Sequence, residues 1–264
     1  MPRRRFARAL VTGGSSGIGL EIANELARRA TDLVLVARSR DTLATVADEL
    51  RATHLVDVEV LPCDLVDATA RQEVEERLRD RDRPVDLLVN NAGVGQVGPF
   101  SELDIDMAER IVALNVVAPL RLVHAALPLL LEQRGAVLNV SSTGGNQPVP
   151  QMATYAATKS FLTDWSLSLH EELRGSAVTV TTLAPGFTRT NFVAGADADE
   201  QAKALPGFLW AEAASVARAG VDAVAAGRAI ITPGVINRTG AAISAVTPTG
   251  VSRRVIGEVI RRLG

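Results

Sequence analysis

Only one cysteine, Cys63, stands among the 264 residues, so no intrachain disulfide can form and a reducing, cytoplasmic setting is expected. The three histidines, His54, His124 and His170, have no cysteine or carboxylate at ligand spacing, which argues against a metal centre. Charge of one sign is also lacking: a net charge of −2 gives no electrostatic case for nucleic acid. The basic start, Met1 to Arg5, has no long apolar run behind it and reads as the approach to a first strand rather than a secretory leader. The apolar stretch Ala229–Val246 is interrupted by Pro233, Gly234, Asn237, Arg238 and Gly240, which argues against a transmembrane span. Internal repeats, low-complexity tracts and linkers are missing as well. With 47% hydrophobic and 22% charged residues, the chain is expected to form one large soluble domain with a sizeable core.

Within that domain, apolar strand-like runs alternate with amphipathic helical ones. The runs are Arg8–Thr12, Asp32–Ala37, Val56–Leu61, Val85–Asn90, Ala136–Ser141, Val178–Leu183 and Ala229–Thr232. This order predicts an α/β fold: a doubly wound parallel sheet covered on both faces, a Rossmann-type three-layer sandwich. Ligands of such sheets sit beyond the carboxyl ends of the strands, where this sequence turns polar or glycine-rich.

The first strand runs into Gly13, Ser15, Ser16, Gly17, Ile18 and Gly19, and Ile18, Ile22, Ala23, Leu26 and Ala27 then recur at helical spacing. A strand, a glycine turn and a helix N-terminus hold a pyrophosphate on backbone N–H groups, and a plain tight turn is the alternative. The second strand ends in Arg38, Ser39 and Arg40 instead of the acidic residue that takes a ribose 2′-hydroxyl. Guanidinium and hydroxyl donors suit a 2′-phosphate, so NADP(H) is expected over NAD(H); the alternative is a solvated arginine at a strand end. Asp64 and Leu65 end the third strand, where the adenine would lie.

Tyr155 and Lys159 stand four apart on one helical face. A neighbouring cation favours the ionised phenol and draws it from near ~10 toward the range of useful acid–base work. By themselves the two also fit a half-buried ring beside a solvated lysine. Further upstream, Asn115 lies in a helix expected over Ile105–Gln133, and Pro119 has no N–H to give to the Asn115 carbonyl. Such a carbonyl can hold a water, although a simple kink is the alternative.

Taken in order, Thr12-Gly13-x-x-x-Gly17-x-Gly19, Asp64, Asn90-Asn91-Ala92-Gly93, Asn115, Ser142, Tyr155-x-x-x-Lys159 and Pro185-Gly186 with Thr190 resemble the short-chain dehydrogenase/reductase family over roughly residues 6 to 235. The resemblance implies Asn115, Ser142, Tyr155 and Lys159 as the catalytic set. It selects Ser142, thirteen residues before the tyrosine, and leaves Ser141 as a strand-end or cofactor-facing residue. It implies cofactor contacts from the glycine turn, Arg38, Ser39, Asp64, Leu65, Asn91, Ala92, Gly93, Tyr155, Lys159, Pro185, Gly186, Thr188 and Thr190. A hydride would move between nicotinamide and substrate carbon while Ser142 polarises the oxygen and Tyr155 exchanges the proton. The Asn115 position would connect Lys159 through water to bulk solvent.

A variable lid is expected over about 187–220. Phe187, Phe192, Val193, Leu205, Phe208, Leu209 and Trp210 favour an apolar ketone or secondary alcohol over a sugar, unless they bury against the body of the domain. In the tail, about 236–264, Val251, Val255, Ile256, Val259, Ile260 and Leu263 form an apolar helical stripe flanked by Arg253, Arg254, Arg261 and Arg262. Packing against the body or a partner subunit is favoured over contact with an anionic membrane surface. The resemblance implies a homodimer or homotetramer. A non-catalytic NADP(H)-binding regulator, or a reductase of an imine or activated double bond, are the competing functions.

Overall fold

The computed structural model describes residues 4–189 and 210–234 together with positions 237, 239 and 250. Strand and helix alternate as β1 (Arg8–Thr12), α1 (Gly17–Arg28), β2 (Asp32–Ala37), α2 (Arg40–His54), β3 (Val58–Pro62), α3 (Ala68–Leu78) and β4 (Leu87–Asn90). They continue as α4 (Ile105–Val112), α5 (Ala118–Gln133), β5 (Ala136–Val140), α6 (Ala153–Glu172), β6 (Thr179–Leu183), α7 (Ala213–Ala225) and β7 (Ile230–Ile231). All seven strands are parallel in the order β3-β2-β1-β4-β5-β6-β7, the expected Rossmann-like α/β arrangement. The order reverses between β1 and β4, so a crevice opens beyond the carboxyl ends of those two strands.

The period of two along each strand divides the core into two layers. Ala9, Val11, Leu33, Leu35, Leu87, Val89 and Leu138 face α1, α2 and α7. Leu10, Val34, Val36, Leu88, Val137 and Val180 point the other way, toward α3, α5 and α6. Leu35 and Leu88 are fully buried, and truncating either to alanine is worth about 2–5 kcal/mol. The stretch Ile105–Gln133 is long and apolar enough to cross a membrane, yet half of its most apolar window is buried, as in a core helix.

Several boundaries differ from the sequence reading. β3 starts at Val58 because Leu55 ends α2 in the left-handed region, at φ 57°, and the chain needs two more residues to enter the sheet. β4 starts at Leu87 because the Asp86 carboxylate caps the Ala7 and Arg8 N–H groups at 2.8 and 2.9 Å. β7, an edge strand, pairs over two residues only. Between α4 and α5 the expected single helix widens into a π-turn over Ala113–Val117, closed by the Ala118 N–H on the Ala113 carbonyl. Pro119 supplies the cause, since it cannot donate the next i→i−4 bond.

One polar cluster joins α1 to α7. Glu25, 8% exposed, accepts from Arg28 at 2.7 and 2.9 Å and from Arg29, whose guanidinium also reaches Asp222 at 2.9 Å. The Arg28 hydrogen bond leads in holding the Glu25 carboxyl down to about 2, burial opposing and Arg29 assisting. A carboxyl depressed in the folded state stabilises above its ordinary value of 4.5 and loses that contribution as pH falls through about 2. Glu25→Gln is therefore expected to lower unfolding free energy by about 1–3 kcal/mol at neutral pH. In denaturant melts the gap to wild type should close as pH is taken from 5 toward 2.

Candidate active site

Thr12 ends β1 and binds the neighbouring strand end. Its hydroxyl donates to the Val89 carbonyl at 3.2 Å and accepts from the N–H groups of Asn91 and Ala92, both at 3.0 Å. Asn91 returns the contact, its Nδ2 donating to the carbonyls of Thr12 at 3.0 Å and Gly13 at 3.3 Å. The turn after β1 is thereby fixed to the end of β4 at the switch point of the sheet. Gly13 has φ 66°, and Gly19 is packed so closely that a Cβ there would lie 2.2 Å from the Gly13 carbonyl oxygen. Ser16 starts α1 without a side-chain cap bond, which leaves first-turn N–H groups for an anion; Ser15 and Gly17 flank it, while Ile18 packs toward the core. A close-approach glycine cradle at an uncapped helix N-terminus fits a dinucleotide pyrophosphate.

Beside this cradle, Arg38 is exposed at the end of β2. Ser39 caps α2, accepting from the Thr42 N–H at 3.3 Å and lying 2.8 Å from its hydroxyl. Asp64 accepts from the Val66 N–H at 3.1 Å and from Arg110 at 3.0 Å. Burial alone would raise its carboxyl, but these two bonds and the charges of Arg110 and Arg38 hold it below the ordinary value. Next to it, the Leu65 side chain is buried in the apolar layer and its carbonyl accepts from Arg71 at 2.9 Å, so its side chain packs beneath the strand end.

Consecutive residues at the end of β5 meet α6 at the reacting groups. The Val140 carbonyl accepts from Lys159 Nζ at 2.9 Å, and the Ser142 hydroxyl hydrogen-bonds the Tyr155 phenol while accepting from the Gly144 N–H at 3.0 Å. Lys159 Nζ lies 5.9 Å from the centre of the Tyr155 ring. The expected depression of the tyrosine by the lysine does not occur among the protein's own groups. Burial pushes the phenol up to about 12 against the Ser142 hydrogen bond, and burial takes the Lys159 ammonium down to about 8. Desolvation outweighs attraction here because both groups lie in the same poorly solvated cleft.

The π-turn carries Asn115, which is buried. Its carboxamide accepts from the Val94 N–H and donates to the Val94 carbonyl, both at 3.0 Å, and donates to Thr158 at 3.1 Å. Gly93 consequently lies where an added Cβ would be 3.3 Å from Lys159 Nζ. Asn115 thus ties the strand-four loop to α6 with its side chain, a function the sequence did not indicate. On the far side, the Pro185 carbonyl accepts from the Thr143 N–H at 2.9 Å, Gly186 lies against Asn237, and Thr188 donates to the Gly186 carbonyl at 3.0 Å. Phe187, 53% exposed, meets Trp210 with ring centres 5.8 Å apart. Thr190, Phe192, Val193, Leu205, Phe208, Leu209 and the apolar stripe of the tail lie outside the described residues.

Thr158 and Thr163 also shape the site, although the sequence singles out neither, and Thr12 and Ser141 do so through bonds that their places in the motifs do not indicate. Ser141 is a strand-end residue that turns away from the crevice into α6. Its hydroxyl neighbours become visible only when strand and helix are docked.

Comparison with known proteins agrees with this geometry. A family model described as short chain dehydrogenase matches residues 7–201. Hydroxysteroid dehydrogenase-like protein 1 of Gallus gallus is 34% identical over 195 residues, 72% of this chain and 58% of its own length. Inactive hydroxysteroid dehydrogenase-like protein 1 of Homo sapiens is 32% identical over 192 residues, 70% of this chain and 57% of its own. The matched region therefore spans less than two thirds of these curated relatives. Among solved structures, the short-chain dehydrogenase from Sphingobium yanoikuyae in complex with NADPH has a TM-score of 0.81 at 34% identity, covering 90% of this chain and 92% of that one. The bulky-bulky ketone specific alcohol dehydrogenase from Comamonas testosteroni has a TM-score of 0.77 at 30% identity, covering 93% and 96%.

Proposed function

This chain belongs to the short-chain dehydrogenase/reductase family, and we propose that within it the protein is an NADP(H)-dependent oxidoreductase acting on bulky apolar ketones or secondary alcohols. The observation that carries the reading is the hydrogen-bonded Ser142–Tyr155 pair, with Lys159 beside the ring, just beyond the carboxyl end of β5. With the dinucleotide's pyrophosphate held in the glycine cradle, its reduced nicotinamide would supply the hydride for the carbonyl carbon. Ser142 donates a hydrogen bond to the carbonyl oxygen, and Tyr155 gives that oxygen its proton as the charge develops. Lys159, whose proton affinity burial has brought near neutrality, holds and returns the replacement proton. Asn115 and Pro119 place a helix break beside the lysine, which supports a path for that proton to solvent.

The NADPH complex of the Sphingobium protein and the basic end of β2 both favour NADP(H). A charge-assisted contact to the 2′-phosphate is worth about 1.5–3 kcal/mol, so Arg38→Asp is expected to lower kcat/KM with NADPH about 10–100-fold and spare NADH. Wild-type enzyme using NADH as well as NADPH would sink the cofactor assignment. Phe187, Trp210 and the ketone specificity of the Comamonas enzyme support an apolar substrate. The test is NADPH consumption across bulky ketones, acyl carbonyls and sugars, and a preference for sugars would overturn it. A relative named as inactive leaves a second reading, an NADP(H)-binding protein without chemistry, which tight NADPH binding with no turnover in that screen would favour.

A further inference from the structure

We propose that Ser141 and Thr163 form a latch that fixes the Lys159 turn of α6 to the end of β5, and that they are positioning residues for Lys159 and Tyr155. The inference rests on the oxidoreductase reading above, in which neither hydroxyl takes part in the chemistry.

The Ser141 hydroxyl donates to the Lys159 backbone carbonyl at 2.8 Å and lies 2.7 Å from the Thr163 hydroxyl, which is itself 3.0 Å from that carbonyl. Ser141, Lys159 and Thr163 are all buried, at 3, 3 and 7% exposure. The Lys159 carbonyl sits inside α6, where the Thr163 N–H is its regular i→i−4 partner. The hydroxyl bonds are thus surplus to the helix. A threonine bonding back to residue i−4 is a local habit of helices. A serine from the neighbouring strand joining the same carbonyl is not, and it ties two elements together.

Neighbouring contacts converge on the same turn. One residue before Ser141, the Val140 carbonyl takes the Lys159 ammonium; one residue after, Ser142 takes the Tyr155 phenol. Two residues before it, buried Asn139 donates to Ser166 at 2.8 Å, three residues beyond Thr163, so the spacing of the strand matches about one turn of the helix. From the other side, the short 3-10 turn Thr143–Asn146 touches the helix backbone at Gly145, where a Cβ would be 2.6 Å from the Lys159 carbonyl carbon and 2.7 Å from the Ser160 nitrogen. Apolar packing tolerates small slides and rotations, whereas a directional bond to one carbonyl sets the register. A displacement of about 1 Å at reacting groups is enough for a 100-fold loss of rate.

The test compares Ser141→Ala, Thr163→Val, Thr163→Ser and the Ser141→Ala/Thr163→Val double variant. Measurements are kcat and KM for a ketone that the wild type reduces, NADPH affinity from nicotinamide fluorescence, and amide exchange across residues 159–166. Ser141→Ala and Thr163→Val are expected to lower kcat about 10-fold each, the worth of one hydrogen bond, with KM and NADPH affinity within about twofold. Thr163→Ser, which keeps the hydroxyl, should retain wild-type kcat. The double variant should fall no further than either single one, and exchange should quicken across 159–166 in the slow variants only. Unchanged kcat in Ser141→Ala, equal impairment by Thr163→Ser and Thr163→Val, or multiplicative losses in the double variant would overturn the latch. Should the wild type reduce no carbonyl, the oxidoreductase reading fails instead. Amide exchange then decides the latch by itself, and uniform exchange in all variants counts against it.

Discussion

Tyr155→Phe is expected to lower kcat by about 10²–10⁴-fold, the usual worth of a positioned general acid, while NADPH affinity changes little. The substitution removes one oxygen and keeps the ring, so the packing that holds α6 near Lys159 survives. Ser142 would still bond the substrate oxygen, and the hydride would still be in place, but no group within reach would deliver the proton. The protein contains a single tyrosine, so ultraviolet titration of the phenol reports this side chain alone. In the protein without cofactor the phenol should ionise near about 12, and Lys159 should lose its proton near about 8. The sign of the pH dependence follows. Reduction needs a protonated phenol, present throughout the neutral range, and an ammonium to restore its proton, present below about 8 and lost above it. The rate of ketone reduction should therefore fall as pH rises through that value, and alcohol oxidation should rise. Turnover by Tyr155→Phe within tenfold of wild type would remove the tyrosine from the proposed mechanism.

The two kinds of information in that prediction differ in how far the sequence carries them. Spacing places Tyr155 and Lys159 on one face, because helical geometry is local, and alternation marks the strands because their side chains must reach two layers of core. The glycine turn is legible for the same reason: Gly13, Gly17 and Gly19 sit between an apolar run and a periodic one. Proton affinities are not local. The upward shift of Tyr155 arises from burial created by chain segments distant in sequence, which outweighs what local spacing tells of a neighbouring cation. Pro119 signals a broken helix, but not that the break becomes a π-turn nor that the Asn115 carboxamide clasps Val94 and Thr158. The position of Leu65 at a polar strand end does not tell that its side chain packs into the apolar layer beneath. Ser141 and Ser142 are indistinguishable by type; strand pleat sends one into α6 and the other to the phenol.

Gly19→Ala is expected to weaken NADPH binding by at least about tenfold and to lower stability by about 1–3 kcal/mol, although alanine is the better helix former. Two effects oppose each other. Within α1, exchanging glycine for alanine gains about 1 kcal/mol of helix propensity. Against it, the new methyl would lie 2.2 Å from the Gly13 carbonyl oxygen and 2.3 Å from Asn91 Nδ2. Neither neighbour is a flexible side-chain end. The first is backbone, and the second is held by its bonds to the Thr12 and Gly13 carbonyls at 3.0 and 3.3 Å. Relief requires the glycine turn to withdraw from the start of α1 by about an ångström, since close-packed interiors offer no void to take the methyl. That movement opens the cradle in which backbone N–H groups would meet the pyrophosphate, and it pulls on Asn91 and hence on the end of β4. Thermal melts and nicotinamide fluorescence measure the two consequences separately. A variant that melts above wild type and binds NADPH equally well would mean that the turn yields freely and that the close contact at Gly19 does not build the cofactor site.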